Sequence, residues 1–483
     1  MPSAFRLGDD PWVSEEDAMS RILLLGMCPL PFENETHTLG PGKRTWQFAS
    51  SLQKDGHRIC LICSRHLAAY SNNPLPPVVA TELDSMTYYS LDQTKFEDYE
   101  WLQRIHDNFR PDCIIGATVY PSSVAASIRS DRPFWADLFG HLMAEAQTKS
   151  YVFNDDYYLN QMWKLEQTVL DRADIFSVVS EPQRFATIGE LGTRGRLSKS
   201  TTGYLFVHTI PCATNDQLPP RESISPSELR GVLVDPNDFV LLWSGGYNTW
   251  TDVDTLFTGL EEAFSRNPRV RFVSTGGQIE SHDDLTYLHF LKRIDSSRFR
   301  DRFIMKGWIP FAQVPAFWKD ADAGINIDRL SYEAILGSRN RVLDWMQIRL
   351  PVFTSEVCEL SSIIRARELG FTFRSQDVND FVETLLFMAD HPDLLKERAE
   401  AAHTFALEHF NPMTTTEFLR QWARCPTPAP DRHAPRPYIE KYSATQSLDY
   451  RHYIATIKNQ LAHKGIKGTM KWVISRHPFS GSK

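Results

Sequence analysis

Short apolar runs that alternate with stretches of helical spacing, and do so twice over, constrain this chain most. In the first half the runs are Arg21–Met27, GHRICLIC ending at Cys63, MTYYSL from Met86, Asp112–Ala117, PFWADL from Pro133 and IFSVVS from Ile175. Helical patterns separate them, among them one from about Gly42 to Lys54 and another from Phe96 to Phe109. The series then restarts with Asp238–Gly246, Arg269–Gly277, Arg302–Trp308, Ala323–Asp328 and Pro351–Glu356. Strands that alternate with helices build a parallel, doubly wound sheet. The expected fold class is therefore α/β, with two Rossmann-like doubly wound parallel-sheet domains facing a cleft and a helical C-terminal tail. A chain of 483 residues also exceeds the roughly 250–300 residues at which one core stops growing.

The stretch joining the two series is rich in Pro, Ser and acid, which marks a linker. The expected division is an extension over 1–19, a first domain over 20–213, a linker over 214–237 and a second domain over 238–409. A helix over 410–425 returns toward the first domain, and a basic tail covers 426–483.

Composition excludes several classes. A net charge of -8 argues against nucleic acid as a partner, because neutralising phosphates requires clustered Lys and Arg. No apolar run reaches the roughly 18–20 residues of a membrane span. The polar, acidic N-terminus does not read as a signal peptide. The 7 cysteines show no disulfide framework, and Cys60 and Cys63 sit in a strand pattern with no second pair to complete a metal site. No G-x-G-x-x-G follows a strand, so a dinucleotide cofactor is not signalled. The reading is a cytoplasmic protein without a cofactor.

Strand-ending glycines are informative, because ligands of open α/β sheets sit at the strands' carboxyl ends and glycine lets backbone approach phosphate there. Gly40, Gly42 and Lys43 stand at a helix start, whose free N–H groups favour anions. Gly245, Gly246, Asn248 and Thr249 join a strand to a helix, with Thr251 as its expected N-cap. Asp252 and Asp254 suit that helix's first turn, although Asp-x-Asp is also a metal-binding pattern. Arg339 and Arg341 lie at the start of another helix, where the planar guanidinium suits a diphosphate. Asp137 ends a strand and His141 opens the next helix, at the strand ends where cleft residues sit; either could take a proton. Glu145, one turn on, is a weaker candidate.

The order of these features resembles the GT-B glycosyltransferases, and within them the retaining transferases of family four (glycosyl transferases group 1). Leu39–Cys63 resembles the family's glycine loop, helix and strand. Val179–Leu197 and Phe206–Ala213 are similar to the approach to the interdomain crossing. Phe303–Ile327 and Leu343–Ser355 resemble its two donor-domain blocks. The resemblance implies retaining, metal-independent transfer from a UDP- or GDP-sugar to an acceptor the sequence does not name. It implies Asp137 and His141 as sugar contacts, Asp344 on the ribose hydroxyls, and Trp308 and Ile309 lining the base pocket. Two departures stand out. Leu336 occupies the place of the family's first glutamate, and the Arg and Lys after the first C-terminal strand are absent. Other readings on the same fold are a pseudo-glycosyltransferase, a nucleotide-sugar epimerase or a non-catalytic glycan-binding subunit. The tail from Arg451 is basic and amphipathic, the pattern of peripheral membrane contact or of docking on an acidic protein body.

Overall fold

A computed structural model describes residues 19–33, 39–66, 69–70, 75–216, 218–279, 282–283 and 285–434. The expectations for the N-terminal extension before residue 19 and for the basic tail beyond residue 434 lie outside the described residues.

The first sheet holds β1 (Arg21–Cys28), β2 (Arg58–Arg65), β3 (Val78–Leu83), β4 (Met86–Leu91), β5 (Cys113–Gly116), β6 (Phe134–Phe139), β7 (Ile175–Val178) and β8 (Val207–Thr209). Its spatial order is β3-β4-β2-β1-β5-β6-β7-β8. All pairs are parallel except β3 with β4. The second sheet holds β9 (Phe239–Ser244), β10 (Val270–Thr275), β11 (Phe303–Met305), β12 (Ala323–Asn326), β13 (Val352–Glu356) and β14 (Phe371–Arg374). Its order is β11-β10-β9-β12-β13-β14, parallel throughout. In each sheet the order reverses beside the first strand, between β1 and β5 and between β9 and β12. Such a reversal opens a crevice at the strands' carboxyl ends. The expected pair of doubly wound sheets is what the structure contains.

Strand burial follows from the topology. Ile22, Leu24, Ile59 and Leu61 pack into one layer of the first domain, while Leu23, Leu25, Cys60 and Ile62 pack into the other. Both faces are covered, so these strands read as continuous apolar runs rather than alternating ones. Cys60 and Cys63 point into opposite layers, so they cannot act as a pair. The segment over 214–237 packs on the second domain, with Leu218, Leu229 and Val234 joining the core of Val240, Leu242 and Leu343. After Phe410 the chain crosses back. Arg420 and Arg424 bind Asp55, Arg196 binds Asp431, and Arg432 binds Asp174. No described helix is long and apolar enough to cross a membrane.

Candidate functional site

The Gly40–Lys54 helix begins two residues before the sequence pattern places it, with Pro41 in its first turn, where proline's missing N–H costs nothing. The helix sits directly on the end of β1. A Cβ on Gly42 would lie 2.1 Å from the Pro29 carbonyl oxygen, so only glycine fits there. Arg44, on this helix, plunges into the sheet. Its Nε donates to Asp137 Oδ2 at 3.0 Å and its Nη2 to Asp137 Oδ1 at 2.6 Å. Ser177 Oγ and the Thr118 N–H also donate to that carboxylate. Asp137 is 0% exposed. Asp137, expected as a contact of the transferring sugar, faces inward in this structure. Its acceptors are occupied inside the first domain, where a bidentate ion pair fastens the helix to β6 and β7.

His141, expected as a sugar contact, is the N-cap of the Leu142–Phe153 helix, its Nδ1 accepting from the Ala144 N–H at 3.3 Å. With Nδ1 accepting, the ring proton sits on Nε2, 3.1 Å from Glu190 Oε1. The Glu166 carboxylate completes the group, the three ligand-type atoms lying within 4.8 Å of one another. Burial and the charge of Glu190 push Glu166 up to about 8. Burial works against a charged His141, but Glu190 and then Glu166 outweigh it and raise its pKa.

On the second domain, β9 runs into Gly245 and Gly246. Gly245 takes φ +95°, and a Cβ on Gly246 would lie 2.3 Å from the Ile279 side chain. The helix that follows starts at Val253, and its cap is Asp252, accepting from the Thr255 N–H, rather than the expected Thr251. Thr251 instead closes the turn, its hydroxyl accepting from the Asn248 N–H. Asp254 pairs with His289 and Arg293. Both acids of the Asp-x-Asp pattern thus serve the helix and its neighbours. Trp308 donates to the Gln278 carbonyl at 2.6 Å and lies against Gly246 and Gly277, while Ile309 joins the core.

The two arginines part company. Arg339 is held by Asp328, through a bond of 2.9 Å, and by Glu333, through one of 2.8 Å, so it is not free to clamp a phosphate. Glu333 is itself raised by burial to about 7, against the pull of Arg339. Arg341 stacks on Trp243, with its Cζ 4.1 Å from the ring centroid, and its Nη2 donates to the Gly246 carbonyl. Its Nη1 is buried without a partner. Burial lowers this guanidinium to about 10, as desolvation of a cation must.

The domains meet around these groups. Lys43 of the first domain forms an ion pair with Asp344 of the second. A Cβ on Gly40 would lie 3.3 Å from Asn340 Nδ2. On the far side of the turn, the Thr148 and Thr249 hydroxyls are 2.9 Å apart and Lys149 Nζ is 3.2 Å from His282 Nδ1. Thr249 is 1% exposed, so this expected phosphate contact is occupied by the domain contact. Sequence reading placed Arg44 beside Lys43 at the helix start without its inward role, and missed Thr148, Lys149 and His282. Their partners come from distant segments, and nothing in local spacing signals that. Ser180 Oγ donates to the Leu336 carbonyl, bringing the Leu336 backbone to the first domain.

Residues 238–391 match the family model described as glycosyl transferases group 1. No curated protein matches the chain in sequence. Solved structures are similar to it in fold. Sucrose-phosphate synthase from Thermosynechococcus elongatus is 14% identical with a TM-score of 0.62, covering 88% of this chain and 100% of that one. The UDP-forming alpha,alpha-trehalose-phosphate synthase from Burkholderia vietnamiensis is 11% identical with a TM-score of 0.60, covering 84% and 99%. HepE from Anabaena, in complex with UDP and glucose, is 14% identical with a TM-score of 0.57, covering 83% and 98%.

Proposed function

We propose that this protein is a glycosyltransferase, because residues 238–391 match the model of the glycosyl transferases group 1 family and the fold is similar to that of sucrose-phosphate synthase. It moves a sugar from a nucleotide-sugar donor, a UDP- or GDP-sugar, to an acceptor, with retention and without a metal ion. The observation that carries the reading is Arg341, a buried guanidinium whose Nη1 has no partner and whose Cζ and Nη2 lie 3.7 Å from where a Cβ on Gly245 would stand. An unpaired buried donor is costly unless a ligand completes it. A diphosphate laid along the Gly245–Gly246 turn would do so.

In this reading Asp344 holds the ribose, and Trp308 and Ile309 border the base. The leaving diphosphate is stabilised by Arg341, a cation fixed before charge develops. Contacts between the domains exclude water from the donor. The absent Arg and Lys after β9 are replaced by Arg341, arriving from another helix.

The test is release of nucleoside diphosphate from UDP- and GDP-hexoses by the full chain, with EDTA present and a panel of sugar acceptors. Release that rises with an acceptor, with glycoside formed, is the expected result. Intact donor, an epimerised donor, or activity lost to EDTA and restored by manganese overturns the reading.

A further inference from the structure

The proposed ribose-binding carboxylate already has a partner within the protein. Asp344 is 4% exposed, and its ion-pair partner is Lys43, from the opposite domain. Burial raises the Asp344 pKa, while Lys43, and after it Arg341, act to keep it ionised. The ammonium also lies 5.7 Å from the Phe311 ring centroid, and the Lys43 side chain is only 15% exposed. Among the described residues, Lys43 and Arg341 are the cations whose charge acts on this carboxylate.

A ribose can replace the hydrogen bond that Lys43 gives Asp344, because its hydroxyls are donors, but it brings no charge. A nucleoside arriving at Asp344 therefore strands the ammonium. A nucleoside diphosphate brings the charge with it. Its phosphates, beside Arg341 Nη1 and the Gly245–Gly246 turn, offer the displaced ammonium a new partner.

We propose that Lys43 is an exchange residue: it stands in for the donor's ribose at Asp344 while the cleft is empty, and passes to the donor's diphosphate when the nucleotide binds. This rests on the reading of the cleft as a nucleotide-sugar site. The exchange makes the protein discriminate against ligands that carry a base and ribose but no phosphates. It also means that donor binding breaks one bridge between the domains and rebuilds it through the ligand.

Calorimetry of the full chain at pH 8, with uridine, guanosine, UDP and GDP as probes, tests this in wild type and Lys43→Met. The nucleoside that binds should gain affinity in the variant and its diphosphate should lose it. Each change should be about tenfold, the size of one charge-assisted hydrogen bond. Lys43→Gln, which keeps a hydrogen-bond donor for Asp344, should give the same opposite signs even where Lys43→Met folds poorly. Affinities that move together, or do not move, overturn the exchange while leaving the nucleotide site standing. Failure of the wild-type chain to bind any of the four probes overturns the nucleotide site, and the exchange with it.

Discussion

Replacing Arg341 by Met isolates the proposed diphosphate contact. Methionine keeps most of the packing on Trp243, whose ring centroid lies 4.1 Å from the guanidinium, and removes the charge and the donors. The unpartnered Nη1 has two N–H groups. One or two charge-assisted hydrogen bonds to phosphate are worth about 1.5–3 kcal/mol each. The expected loss is therefore about 1.5–6 kcal/mol, or about one to four orders of magnitude in the dissociation constant of a nucleoside diphosphate. Affinity for the nucleoside alone should stay close to wild type. Arg339→Ala is the control. It strands Asp328, which is 2% exposed, so it should lower stability by about 3–5 kcal/mol instead. Calorimetry with UDP, GDP and their nucleosides reads the first effect, and thermal melting the second. Unchanged diphosphate affinity in a folded Arg341→Met chain would refute the placement of the diphosphate.

Two further outcomes follow from buried groups. Asp137→Asn leaves Arg44 buried without its anion. It should lower Tm by roughly 6–20 °C, from about 3–5 kcal/mol of lost stability, while turnover per folded molecule holds; collapsed turnover at an unchanged Tm would make Asp137 a sugar contact after all. Glu166 binds its proton more tightly in the folded chain, at about 8 against an ordinary 4.5, and His141 is raised as well. The stability these groups contribute is full at low pH and is lost as pH rises toward and through 8. Glu166→Gln should flatten the fall of Tm between pH 6 and 9, and an identical pH profile in the variant would contradict the buried proton.

The architecture was legible because strands covered on both faces are apolar along their whole length, and because the series of strands restarts after the linker. Elements without that signature escaped. β3, VVATEL, is an exposed antiparallel edge strand, and β8 has only three residues and lies in what reads as the crossing segment. β14, FTFR, is a short edge strand. The roles of Asp137 and His141 could not be assigned from sequence, since Asp137's partner is Arg44, 93 residues away. The helix start at Arg339–Arg341 was visible as a cationic site. Which arginine remains available depended on Asp328 and Glu333, acids whose proximity the fold alone determines. The Lys43–Asp344 pair joins a residue at a helix start to one that the family resemblance singled out, 301 residues on, and only the fold brings them together.

The central claim is that the cleft binds a nucleoside diphosphate, and thermal melting of the full chain tests it most directly. UDP, GDP, ADP and NAD are each added at about 1 mM. A ligand present at 100 times its dissociation constant stabilises the native state by about 2.7 kcal/mol, which raises Tm by roughly 5–10 °C for a domain of this size. The account predicts such a shift with UDP or GDP, no shift with NAD, and loss of the shift in Arg341→Met. A shift with NAD alone, or a UDP or GDP shift that survives Arg341→Met in full, would contradict it.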